Sequence, residues 1–170
     1  MNANLQKAID TLHIQDVYLR DLKAGSADGF DPKYAAEIET LQVQTMHAIK
    51  EAQVVEQDQE NVRLLRVFVA LGVRWVDTGV TDEETSVRAL IEAEFVAEYA
   101  MDELLEKGCI DAFALRNVSY HVWPYWRELL MSQCWRMRLP RLMLPAVQFA
   151  HNRDQETTPL DQTDSLGSKH

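Results

Sequence analysis

Five histidines, His13, His47, His121, His151 and His170, are the side chains best suited to hold a metal or move a proton. None stands at ligand spacing from another His, a Cys or a carboxylate. His121 alone lies among aromatics, and it reads as an ordinary packed or surface imidazole, because a catalytic one needs an orienting partner. The two cysteines, Cys109 and Cys134, form no C-x-x-C pair. Arg136 and Arg138 could lower the Cys134 thiol pKa, and a buried, inert thiol is the plainer alternative. Gly-rich nucleotide loops, a Gly-x-Ser-x-Gly elbow and a His-Glu-x-x-His helix are absent from the sequence. No catalytic residue, metal ligand or cofactor is therefore nominated, and the expectation is a protein that is not an enzyme.

Two stretches carry surface chemistry instead. Asp82 to Glu106 holds nine carboxylates against Arg88 alone; it is either a solvated sheet face with its loops or a docking surface for a basic partner. Val118 to Trp126 places Tyr120, Trp123, Tyr125 and Trp126 within nine residues. A core helix absorbs about half of them, and in a small two-layer domain the others must face another subunit or a bound apolar ligand.

The elements that position these residues belong to one domain. The chain has 170 residues, 46% hydrophobic, with 17 Lys+Arg against 27 Asp+Glu and a net charge of −10. That composition excludes disordered and fibrous classes and disfavours nucleic acid, whose phosphates are bound through Lys and Arg. The N-terminus lacks the pattern of a secretory signal, no 18-residue apolar run occurs, and the cysteines are two and widely spaced. A cytoplasmic protein with no membrane insertion is expected.

Residues 1–150 read as the folded domain and 151–170 as a polar, disordered tail. Leu12 to Leu22 reads as a short strand, ended by the Gly25–Gly29 break and Pro32. Ile38, Leu41 and Val43 are assigned to a second strand, followed by a polar stretch from Glu56 to Asn61. Val62 to Val76 is the clearest strand, every odd position from Leu65 to Trp75 being apolar. Ser86 to Met101 has helix-forming composition, yet eight successive odd positions are apolar, which outweighs weak propensity and predicts a strand. A helical region is predicted from about Asn117, a plausible N-cap, to Arg138. Pro124 either ends a short turn there or bends the helix. Pro140 and Pro145 bracket an extended linker from Leu139 to Phe149.

From Pro124 onward the pattern Pro124-Tyr125-x-Arg127-Glu128-x-x-x-Ser132-x-x-x-Arg136, then Pro140-x-Leu142-x-Leu144-x-x-Val147-x-Phe149, resembles the SecB family of bacterial protein-export chaperones without a gap. Upstream, Leu90-Ile91-Glu92 is similar to that family's last strand, and Ile14-Gln15 to Tyr18 with Asp21 to its first. The resemblance spans Leu12 to Phe149. It implies an α+β domain, a four-stranded antiparallel sheet with helices packed on one side, assembling as a dimer of dimers into a homotetramer. It also implies an ATP-independent holdase that binds unfolded polypeptides in apolar grooves and passes secretory precursors to the SecA motor of the Sec translocase.

On that resemblance Phe68, Trp75, Trp123, Tyr125, Trp126, Leu139, Leu142 and Leu144 are expected to line the client groove, and Asp21, Leu90 and Glu92 to dock the motor. Two departures stand out: a polar tail replaces the family's last amphipathic helix after Phe149, and Glu98 to Lys107 replaces a Gly-rich break. Shortened relatives of this kind include SecB-like chaperones of antitoxins in toxin–antitoxin modules, which leaves the client open. The competing readings are a hot-dog-type thioesterase, whose long helix precedes most of its strands, and a structural oligomer whose aromatics serve subunit contacts.

Overall fold

The computed structural model describes residues 2–57 and 62–145. Along the chain run α1 (Ala3–Thr11), β1 (Leu12–Ser26), β2 (Gln42–Gln57), β3 (Val62–Val76), the single turn α2 (Glu83–Ser86), β4 (Val87–Met101), α3 (Lys107–Arg116) and α4 (Val118–Met137). The strands form one antiparallel sheet in the order β1-β4-β3-β2. The fold is the expected α+β class.

Period-two patterning makes the two central strands. Leu65, Val67, Val69, Leu71, Val73 and Trp75 of β3 and Ala89, Ile91, Ala93, Phe95, Ala97, Tyr99 and Met101 of β4 share one face and are buried there. Helices α3 and α4 cover that face with Phe113, Val118, Val122, Trp126 and Leu130. Burying a large apolar side chain contributes on the order of 1.5–3 kcal/mol, so this shared layer is the main source of stability.

The edge strands bend over the sheet through bulges. The pairing skips Gln15 and Arg20 in β1 and Lys50 in β2. Such extra residues increase twist and blunt an edge against pairing with another chain. Between β1 and β2, Gly29 adopts φ 75°, and the Phe30 amide donates to Ala27 O at 3.0 Å. The positive φ at the turn's third residue favours Gly, and the turn brings Phe30 into the core.

Several expectations change. Ile38 lies in a 3-10 turn, Ile38–Thr40, and the second strand starts at Gln42 and runs on into the polar stretch. Its start is set by pairing to Val76 rather than by apolar alternation. Helices α1 and α3 were not predicted; α1 is capped by the Asn2 side chain accepting from the Asn4 amide at 3.0 Å. Asn117 makes no side-chain cap; it is a helical joint between α3 and α4. Of the two alternatives at Pro124, no turn ends there: α4 continues through it. The tail 151–170, with Val147 and Phe149, lies outside the described residues.

Candidate functional site

Helix α4 packs through a stripe at four-residue spacing, Val118, Val122, Trp126, Leu130 and Cys134, all buried. It ends at Arg138, which takes up a left-handed conformation with φ 59°. The Leu139 amide then donates to Cys134 O at 3.0 Å, a Schellman-type reversal that satisfies the last carbonyls and folds Leu139 inward. The chain doubles back along the helix. Trp123, one turn into α4, donates its indole Nε1–H to Pro145 O at 2.7 Å, so residues 139–145 form a strap held at both ends.

Between α4 and the strap lies an open cleft of about 680 Å³, lined by Pro124, Arg127, Glu128, Met131, Ser132, Cys134, Trp135, Arg141, Leu142 and Met143. Its walls are apolar and uncovered: Trp135 is 61% exposed and Met143 89%. Unbranched Met side chains adapt to irregular partners, and an exposed Trp is a common anchor. The guanidinium groups of Arg138 and Arg141 each lie 5.6 Å from the Trp135 ring centroid, within cation–π range.

The cysteine of the cleft is not an activated nucleophile. Burial pushes the Cys134 thiol up to about 11 against the lowering by a hydrogen bond from the Leu142 backbone, which agrees with the reading of a buried, inert thiol and not with activation by Arg136 and Arg138. Ser132 accepts a hydrogen bond from Arg136. Elsewhere, the Tyr99 hydroxyl meets His121 Nδ1 at 2.8 Å, and Tyr99 stacks edge-on against Phe113 at 4.9 Å. Burial lowers the His121 pKa and raises that of Tyr99, so a neutral imidazole accepts from the phenol. This is a core hydrogen bond. Among the described residues no three His, Cys, Asp or Glu side chains gather as a metal site requires.

The predicted groove residues separate into three groups. Trp123, Leu142 and Leu144 lie together at the strap and pack partly buried against the core, with Tyr125 exposed nearby on α4. Trp75, Trp126 and Leu139 are core side chains, 1%, 2% and 5% exposed, and none of them is in the lining of the cleft. Phe68 is on the opposite face of the sheet, its ring 5.3 Å from the guanidiniums of both Arg20 and Arg66. Sequence reasoning missed Met131, Trp135 and Met143, the exposed large apolar side chains of the cleft.

Asp21, Leu90 and Glu92 share that outer face by register. The three β4 glutamates of that face are paired. Glu92 pairs with Arg74 at 2.9 Å, Glu98 with Arg66 at 3.0 Å, and Glu94 with both Arg20 and Lys50.

No family model and no curated protein matches the chain. Among solved structures, the chain is similar to the SecB-like chaperone Rv1957 of Mycobacterium tuberculosis, solved in complex with a ChAD peptide from the Rv1956 HigA1 antitoxin. The TM-score is 0.60 at 17% identity, over 85% of this chain and 94% of that one. A likeness of that size at that identity establishes the fold: the chain has a SecB-like α+β architecture.

Proposed function

We propose that the protein is an ATP-independent holdase that binds non-native polypeptide segments. The observation that carries this reading is the open apolar cleft between α4 and the strap, with Met131, Trp135 and Met143 exposed on a fold whose core is already complete. Exposed apolar surface of this kind costs solubility and marks a binding site. Trp123, Tyr125, Leu142 and Leu144 extend the surface along the strap, and Trp126 and Leu139 support it from beneath. The assembly proposed is a cytoplasmic homotetramer, a dimer of dimers.

Two clients fit. Secretory precursors would be handed to the SecA motor, docked at Asp21, Leu90 and Glu92 on the outer sheet face. The second reading, a dedicated chaperone of an antitoxin, is favoured by the structural neighbour, which was solved with an antitoxin peptide. A hot-dog thioesterase is disfavoured by element order, since the long helix α4 follows all four strands.

The test is light scattering without ATP, on a slowly folding precursor and on an unstable antitoxin, with the assembly mass measured alongside. Suppression near one tetramer per client supports the reading, and preference for one client chooses between export and antitoxin service. Aggregation of both at the uncatalysed rate sinks it.

A further inference from the structure

The cleft differs in charge from the rest of the chain. Over residues 118–145 four arginines, Arg127, Arg136, Arg138 and Arg141, stand against Glu128 alone, in a protein of net charge −10. On the outer sheet face Arg20, Arg66 and Arg74 are each bonded to a glutamate. Around the cleft, among the described residues, none of the four arginines meets a carboxylate: Arg136 bonds to Ser132, and Arg138 and Arg141 lie over Trp135. Arg127 adds a buried Nε–H that finds no acceptor among the described residues.

We propose that the cleft selects apolar polypeptide segments flanked by Asp or Glu. The proposal rests on the holdase reading and names the client class. A purely apolar segment laid on Met131 and Trp135 would strip water from guanidiniums that have no counter-charge, and burying a charge without a partner is costly. A carboxylate a few residues to either side meets those forks in bidentate geometry. A basic segment, which the overall negative charge attracts at long range, is repelled at the cleft itself. Local and global electrostatics therefore favour opposite clients, so the sign of the preference is decisive.

The experiment titrates the full chain into three fluorescein-labelled peptides that share one Leu/Phe core and carry two flanking Asp, Asn or Lys residues on each side. Anisotropy is read at about 0.05 M and about 0.5 M salt, and assembly mass is measured at saturation. The expected order is Asp tighter than Asn by about fivefold or more, with Lys weakest, the spread narrowing at high salt. In Arg138→Gly combined with Arg141→Gln, with the assembly mass unchanged, the Asp-to-Asn ratio should fall toward one; an unchanged ratio overturns the proposal. Equal affinities in the unmodified chain, or a Lys preference, overturn the selectivity and leave the holdase reading standing; failure of all three peptides to bind overturns both. An acidic peptide that dissociates the assembly would assign the cleft to a second copy of the chain and also overturns the proposal.

Discussion

Arg20 and Lys50, the extra residues of bulges in the two opposite edge strands, meet over a single carboxylate at the middle of the sheet. Arg20 Nη1 reaches Glu94 Oε1 at 2.6 Å, and Lys50 Nζ reaches Oε2 at 2.5 Å. To arrive there Lys50 crosses β3 above Ala70, the residue that pairs with Glu94 on one side and Ala48 on the other. The bulges and the small residues are thus one arrangement: slack in the outer strands lets their cations fold inward, and alanines leave the room. The Arg20 guanidinium also lies 5.3 Å from the centroid of the Phe68 ring, as does that of Arg66.

Glu94→Gln keeps the shape and removes the charge. The Glu94 side chain is 11% exposed, but those of Arg20 and Lys50 are more than half exposed and can rehydrate, so the expected loss is about 1 kcal/mol at neutral pH. Hydrogen bonds from Lys50 and then Arg20 hold the Glu94 pKa below its ordinary 4.5. A carboxylate lowered on folding contributes stability above that ordinary value and loses it as pH falls through the folded one. Urea unfolding of both proteins should therefore show a gap at neutral pH that closes in acid. A gap of constant size across that range would assign the effect to geometry instead of charge.

The Tyr99–His121 pair predicts a second pH dependence, at higher pH. Burial lowers the His121 pKa from its ordinary 6.5, so folding favours the neutral ring. Stability from this group is complete above 6.5 and declines as pH falls from there through the folded value. Thermal unfolding should show a lower Tm at about pH 5.5 than at about pH 8, and His121→Gln should flatten that difference. Tyr99→Phe leaves Nδ1 without its donor, at an expected cost of about 1–2 kcal/mol. An unchanged pH profile in His121→Gln would place the proton uptake on another group.

Alternation made β3 and β4 legible in the sequence, because a strand buried on one face repeats every two residues, and the apolar repeat runs from Leu65 to Trp75 in β3 and from Val87 to Met101 in β4. Helix α3 carried a readable signal that was passed over, Cys109, Phe113 and Ala114 at helical spacing. The grip on Glu94 had none, since bulges at Arg20 and Lys50 leave no periodic trace. The cleft falls between. The aromatic run at 118–126 drew attention, yet the stripe through Val122, Trp126 and Leu130 extends to Cys134, which places Trp135 about 100° round the helix, off the buried face. Which tryptophan faces solvent thus follows from the phase of α4, and composition alone does not give that phase.

The two tryptophans of α4 should therefore fail differently. Trp126→Ala empties a core site and is expected to cost about 3–5 kcal/mol. Trp135→Ala removes an exposed ring and two cation–π contacts, with a stability change of about 1 kcal/mol or less. If the cleft holds clients, Trp135→Ala weakens aggregation suppression at least severalfold while its Tm stays near that of the unmodified protein. Full suppression by a folded Trp135→Ala protein would remove the cleft from the client surface.

The strap is expected to be the adjustable wall of the cleft. The contact that closes its far end is the Trp123 indole on Pro145 O at 2.7 Å, while its near end is fixed by Leu139 buried against Cys134. A net hydrogen bond of this kind contributes about 1 kcal/mol, small against the global stability of a domain yet enough to set how often residues 140–145 lift. Trp123→Phe keeps the ring and deletes the donor. Amide exchange should accelerate about fivefold in the strap, with rates in β3 and β4 unchanged, and peptide affinity should fall because one wall is no longer preformed. If exchange accelerates while affinity is unchanged, the client contacts α4 alone and the strap is only a cover for Cys134.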